Sequence, residues 1–222
     1  MPATAVFSQN IRMETPQNVV SLQAQGSLEV QQDLLTISMN STKDGSDAAT
    51  VQTQLKAALD AALTEAKKVA QPGQLDVRTG AFSLYPRYGR DGKINGWQGT
   101  TELVLEGRDF ARISALAGKI NTLTLGNVSF GLSREARARV EAEVTAQAIE
   151  RFKAKAQEIS KGFGFGGYTV REVNVQANDQ GFAHRGRMEM MQAKSMSADA
   201  AVPVEAGRST VVVTVAGAVQ MK

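Results

Sequence analysis

The chain contains no cysteine. That excludes disulfide staples, thiolate metal sites and cysteine nucleophiles, and leaves stability to the packed core. Histidine is nearly absent too, with His184 alone, so a Ser-His-Asp triad would have one candidate base. No stretch approaches the roughly 18 uncharged apolar residues that a membrane-spanning helix needs. The most apolar run, Val211 to Val219, has the length of a strand. An excess of one charge sign is missing as well. Lys and Arg number 25 against 22 Asp and Glu, for a net charge of +3, and the two signs interleave along the helical stretches. A nucleic-acid binder concentrates its cations in a patch, so this pattern argues against such a partner. The opening Met1-Pro2-Ala3-Thr4 has neither a basic n-region nor an apolar h-region. Two readings follow: a cytoplasmic chain, or a mature domain without its leader.

What is present is a globular composition. Of 222 residues, 42% are hydrophobic and 21% charged, which supports a sizeable core in one large domain or two small ones. Residues 1–18 read as an N-terminal tail without a period, and residues 19–222 as the folded domain. Val20, Leu22 and Ala24, then Leu28 and Val30, alternate as in a strand. Leu35, Ile37 and Met39 form a second one, and the short polar Gln31-Gln32-Asp33 link reads most simply as a hairpin. The Asp44-Gly45-Ser46-Asp47 cluster ends that strand and offers a helix cap before Val51, Leu55, Leu59, Leu63, Ala66 and Val69, which recur at helical spacing until Pro72-Gly73. A second hairpin runs from Leu75 to Glu106 around Arg90-Asp91-Gly92-Lys93. Asp109 opens a short helix with Ile113 and Leu116, and Val128 to Leu132 form a short strand. Ser133 begins a long helix on the order of 40 Å. A strand near Tyr168 to Val175, a long loop at 177–206 and a last strand from Ser209 to Val219 complete the chain. The order ββα-ββα-βα-ββ predicts an α+β fold, with a mainly antiparallel sheet, two long helices and one short helix.

Several segments, in this order, resemble the SIMPL-domain family of bacterial periplasmic or secreted proteins. They are Val20 to Val30 with Gly26; Leu75-Asp76-Val77-Arg78-Thr79 followed by Leu84-Tyr85-Pro86-Arg87-Tyr88; Val128 to Ser133 leading into the alanine-rich helix; and the methionine-rich stretch before Pro203 to Gly207. Gln25 and Ser27 around the first glycine, and Ala206 beside the last, depart from the family pattern. The resemblance implies export to the periplasm or beyond, homo-oligomers and no catalytic residues to carry over.

The motifs that invite chemistry have plainer readings beside them. Gly162-Phe163-Gly164-Phe165-Gly166-Gly167 resembles a phosphate loop, but it follows a helix and precedes a strand. It is expected to cap the helix and to bury Phe163 and Phe165. Glu102 and Glu106 share a strand face and read as solvated. Arg134, Arg137 and Arg139 suit ion pairing or solubility at a helix start. His184 with Met188, Met190, Met191 and Met196 is the candidate metal cluster, because thioethers suit Cu(I); the same methionines also suit packing or assembly. Tyr85, Tyr88 and Trp97 near a hairpin tip are a candidate contact surface, or simply pair across the hairpin. The expectation is a non-enzymatic envelope protein without a cofactor, working through surfaces and self-association. A small-ligand or copper-binding module is the alternative.

Overall fold

The computed structural model describes residues 17–178 and 202–222. Ten elements follow in order: β1 (Val19–Gln31), β2 (Leu34–Gly45), α1 (Ala48–Val69), β3 (Asp76–Tyr88), β4 (Ile94–Gly107), α2 (Phe110–Lys119), β5 (Thr124–Gly131), α3 (Arg134–Gly162), β6 (Tyr168–Asn178) and β7 (Arg208–Met221). The α+β class and the two long and one short helices are as the periodicity predicts. The strands divide into two antiparallel sheets, ordered β1-β7-β6 and β3-β4-β2-β5. The described residues cluster as two compact units. One comprises 17–28, 141–178 and 211–222, and the other 29–140 and 202–210.

The larger unit is the four-stranded sheet with α1 and α2. The side chains of Asp47, from the 44–47 cluster, and of the expected Asp109 accept the Thr50 and Arg112 amides and so start α1 and α2. Val51, Leu55, Leu59, Ala62 and Ala66 turn one stripe of α1 inward. They meet strand residues that alternate inward on the pleat: Leu35, Ile37 and Met39 of β2, of which Ile37 stands opposite Leu105 and Met39 opposite Leu103 of β4. Phe110 of α2 meets Phe130 of β5 edge to face, with ring centroids 5.7 Å apart. Leu35, Ile37, Leu103 and Leu105 are fully shielded, worth about 2 kcal/mol each relative to exposure.

The expected β1–β2 hairpin does not form. β2 pairs with β4 and β5, while β1 joins β7 in the other sheet. At the corner the Gln32 amide donates to the Gly207 carbonyl instead of closing across the turn. Partners distant in sequence therefore claim both edges, and the local turn becomes a crossing between sheets. The second hairpin, β3 with β4, forms as read.

The smaller unit packs α3 on the three-stranded sheet. Val144, Ala148, Phe152 and Ala156 recur every four residues and are buried, as are Leu22 of β1 and Val213, Val215 and Val219 of β7. Gly26 is where helix and sheet come closest. A Cβ there would lie 2.4 Å from the Val144 carbonyl oxygen. The glycine run does cap α3. The Phe165 amide donates to Ser160 O at 3.0 Å and the Gly164 amide to Lys161 O at 2.9 Å, with Gly164 at φ 82°, a Schellman ending. Phe165 is half-buried, but Phe163 is 70% exposed rather than buried, because the cap turns it away from the sheet. Gly164→Ala has open space for its methyl, so only the left-handed backbone opposes it. The expected loss is about 1 kcal/mol in urea unfolding.

Candidate interaction surfaces

Among the described residues β6 is the edge strand of the three-stranded sheet, with β7 as its one neighbour there. Its register sets Val173 opposite Gly217 and Val175 opposite Val215, and beyond a bulge at Arg171 it sets Val170 opposite Val219. Directly opposed residues share a face, so these valines lie on the side where Val215 and Val219 pack beneath α3. The helix does not reach them: Val170, Val173 and Val175 remain 48%, 46% and 47% exposed. Every residue from Thr169 to Ala177 is exposed. The strand therefore offers a β-branched apolar row beside an open edge. Such edges are normally blunted by proline, lysine or a bulge, and among the described residues the bulge and the Arg171-Glu172 charges serve here.

The β3–β4 hairpin carries Tyr85, Tyr88 and Trp97. Tyr85 and Tyr88 are 65% and 64% exposed, and Trp97 is half-buried. They do not form one aromatic cluster. Tyr85 stands opposite Gln98, on the face where Asp44 Oδ1 accepts from Arg87 at 2.9 Å and from Gln98 at 3.1 Å. Trp97 stands opposite Pro86 on the other face, with Gly99, whose Cβ would meet Leu55 of α1. Tyr88, an odd number of residues from Tyr85, points to that second side as well. Glu102 and Glu106 do share a face. Glu102 accepts the Ala81 amide, and Glu106 accepts the Thr36 hydroxyl at 3.1 Å with Arg78 nearby. They act as acceptors on a half-exposed strand face.

One hydroxyl–carboxylate contact has no spacing signal in the sequence. Asp33 accepts the Ser133 hydroxyl at 2.6 Å and the Ser133 amide at 2.7 Å. Its role is structural, because Ser133 Oγ in turn accepts the Ala136 amide and caps α3. Arg108 lies 3.7 Å from Asp33 and pairs with Glu135. Partial burial pushes the Asp33 carboxyl up, but the Ser133 hydroxyl and amide, aided by Arg108, outweigh it. The net pKa falls below the ordinary aspartate value. A group whose pKa is depressed on folding stabilises above its unfolded pKa, and that contribution fades as pH falls through its folded value. Asp33→Asn should therefore cost about 1 kcal/mol at neutral pH. The gap from wild type, measured by urea unfolding, should close on acidification through the carboxylate range.

A groove of about 580 Å³ opens in the smaller unit between Leu22, Lys155, Ile159 and Glu172, over Gly217. The Lys155 ammonium donates to the Gln23 carbonyl at 3.2 Å. The metal candidates His184, Met188, Met190, Met191 and Met196, and most of the 177–206 stretch, lie outside the described residues. Among the described residues, no group of three or more His, Asp or Glu side chains converges as a metal site, and no helix is long and apolar enough to cross a membrane.

No curated protein matches the chain. The SIMPL family, described as a protein of unknown function (DUF541), matches residues 20–219. That match takes in the three described helices and reaches into each described strand, and the chain belongs to the SIMPL family.

Proposed function

We propose that this is a non-enzymatic protein of the cell envelope, periplasmic or secreted, that works through contact surfaces and associates with itself. The observation that carries this reading is the open β6 edge, with its row of half-exposed valines. Backbone pairing across such an edge is a recurrent mode of recognition. Export is supported by family resemblance. The non-enzymatic part is supported by how the polar contacts are used: the short Asp33–Ser133 contact is a helix cap, and the Glu102 and Glu106 carboxylates accept neighbouring strand groups. Light scattering on the purified chain over a wide concentration range tests the reading. The expected result is a mass that rises above 23.7 kDa with concentration. A strict monomer throughout would count against it.

A further inference from the structure

Asparagine followed by glycine occurs once in the chain, at Asn95-Gly96. The pair is reactive for a reason of backbone chemistry. The amide nitrogen of the following residue stands one ring closure from the asparagine Cγ. A side chain on that residue obstructs the closure, and glycine has none. The other described asparagines precede bulkier residues. Asn18, Asn127 and Asn174 are followed by valine, Asn121 by Thr122, Asn40 by Ser41 and Asn178 by aspartate.

The place of Asn95 in the fold adds to this. The β3–β4 register runs from Arg87 opposite Gly96 to Tyr88 opposite Ile94. Asn95 is therefore the extra residue of a bulge, without a partner across the hairpin. It is exposed, and among the described residues its carboxamide makes no hydrogen bond. β2 pairs with β4 as far as Gly45, opposite Trp97. Past that row the described hairpin continues as two strands, and a two-stranded ribbon by itself is marginal in water. Gly96 is buried against Gly45, where a Cβ would lie 3.0 Å from the carbonyl oxygen. Ring closure therefore needs an opening that swings Gly96 off Gly45. The bulge and the two-stranded tip keep that opening local, well below the cost of global unfolding.

We propose that Asn95 is a site of spontaneous deamidation, which gives the hairpin tip a second carboxylate beside Asp91. The Gly96 nitrogen passes its proton to hydroxide and attacks Asn95 Cγ. A new C–N bond forms there, the bond from Cγ to the carboxamide nitrogen breaks, and that nitrogen leaves as ammonia with a proton drawn from water. Water then opens the five-membered imide at either carbonyl. One route gives aspartate on the original backbone. The other gives isoaspartate, whose backbone runs through the side chain and carries one more carbon. In sum, asparagine and water become a carboxylic acid and ammonia, with no change of oxidation state. Either product lowers the net charge of +3 by one. The new carboxylate arises on the turn that holds Arg90 and Lys93, both exposed and without an ion-pair partner among the described residues. The modification acts on the hairpin that carries Tyr88 and Ile94, and it does not depend on pairing through β6.

The folded chain is incubated at neutral and at mildly alkaline pH, then digested with trypsin. Cleavage after Lys93 and Arg108 releases Ile94 to Arg108, in which Asn95 is the only asparagine. The expected result is two new forms of this peptide, resolved by chromatography, each with the mass change of a hydroxyl in place of an amino group. Their rate of formation should rise about tenfold per pH unit, as does the ionised fraction of a group far below its pKa. Asn127, exposed on the edge strand β5 but followed by valine, should stay intact over the same period. Asn95→Ser should remove both forms, and with them the more acidic species on ion exchange. Asn95→Asp should elute with that species from the start. A peptide that stays unmodified in the folded chain, while the same free peptide deamidates, would overturn the proposal. Equal loss at Asn127 would overturn it too, because the bulge and the glycine would then confer no preference.

Discussion

Gly26→Ala is expected to lower the unfolding free energy by about 3 kcal/mol, near the upper end of the usual cost of overpacking a core. The added methyl would sit 2.4 Å from the Val144 carbonyl oxygen and 3.1 Å from the Ala148 amide nitrogen. Both are backbone atoms of α3, so no flexible side chain can swing aside. The helix has to lift from β1, and lifting loosens the four-residue stripe of Val144, Ala148, Phe152 and Ala156 over Leu22, Val213 and Val215. Gly164→Ala, in open space, tests only the backbone and should cost about a third as much. Urea unfolding followed by circular dichroism compares the two. Equal, small losses would mean that α3 does not seat on Gly26 as described.

Val173→Lys combined with Val175→Lys is expected to convert self-associated protein to monomer with little change in unfolding free energy. Both side chains are nearly half-exposed in the single chain, so lysine keeps its ammonium in water while its stem replaces the valine. The effect appears only when a second copy approaches. An antiparallel pairing of β6 with itself, centred on Asn174, sets each Val173 against Val175 of the second copy and each Glu172 against Gln176. No like charges then stand opposite each other, and four valines close over the new seam. Four lysines at the same positions would face one another, and inward charge on an edge strand is how natural sheets prevent such pairing. Light scattering before and after the substitution reads the result. A variant that associates as well as wild type would move the self-contact off β6.

Local order was legible from the residues. The three- and four-residue spacing of Val51 to Ala66 gave α1, the 44–47 cluster and Asp109 marked two helix starts, and the glycines from Gly162 marked the end of α3. Partner choice over long range was not. Nothing near Gln32 says that β1 will pair with a strand some 180 residues later while β2 turns to β4 and β5. The Asp33–Ser133 cap spans 100 residues and leaves no spacing signal. β6 reads as a core strand because Val170, Val173 and Val175 are β-branched; only its place at the edge, beyond the reach of α3, exposes them. The division of the aromatic tip was within reach, since Tyr85 and Tyr88 are an odd number apart on a strand and alternation alone sends them to opposite faces.

The claim that this chain acts through its open edge is tested most directly by amide hydrogen exchange of β6, measured at low and high protein concentration. Pairing predicts that amides between Glu172 and Asn178 gain protection as concentration rises, and that Val173→Lys with Val175→Lys abolishes the gain. Exchange in β6 that stays fast at every concentration, in wild type and variant alike, would contradict the account.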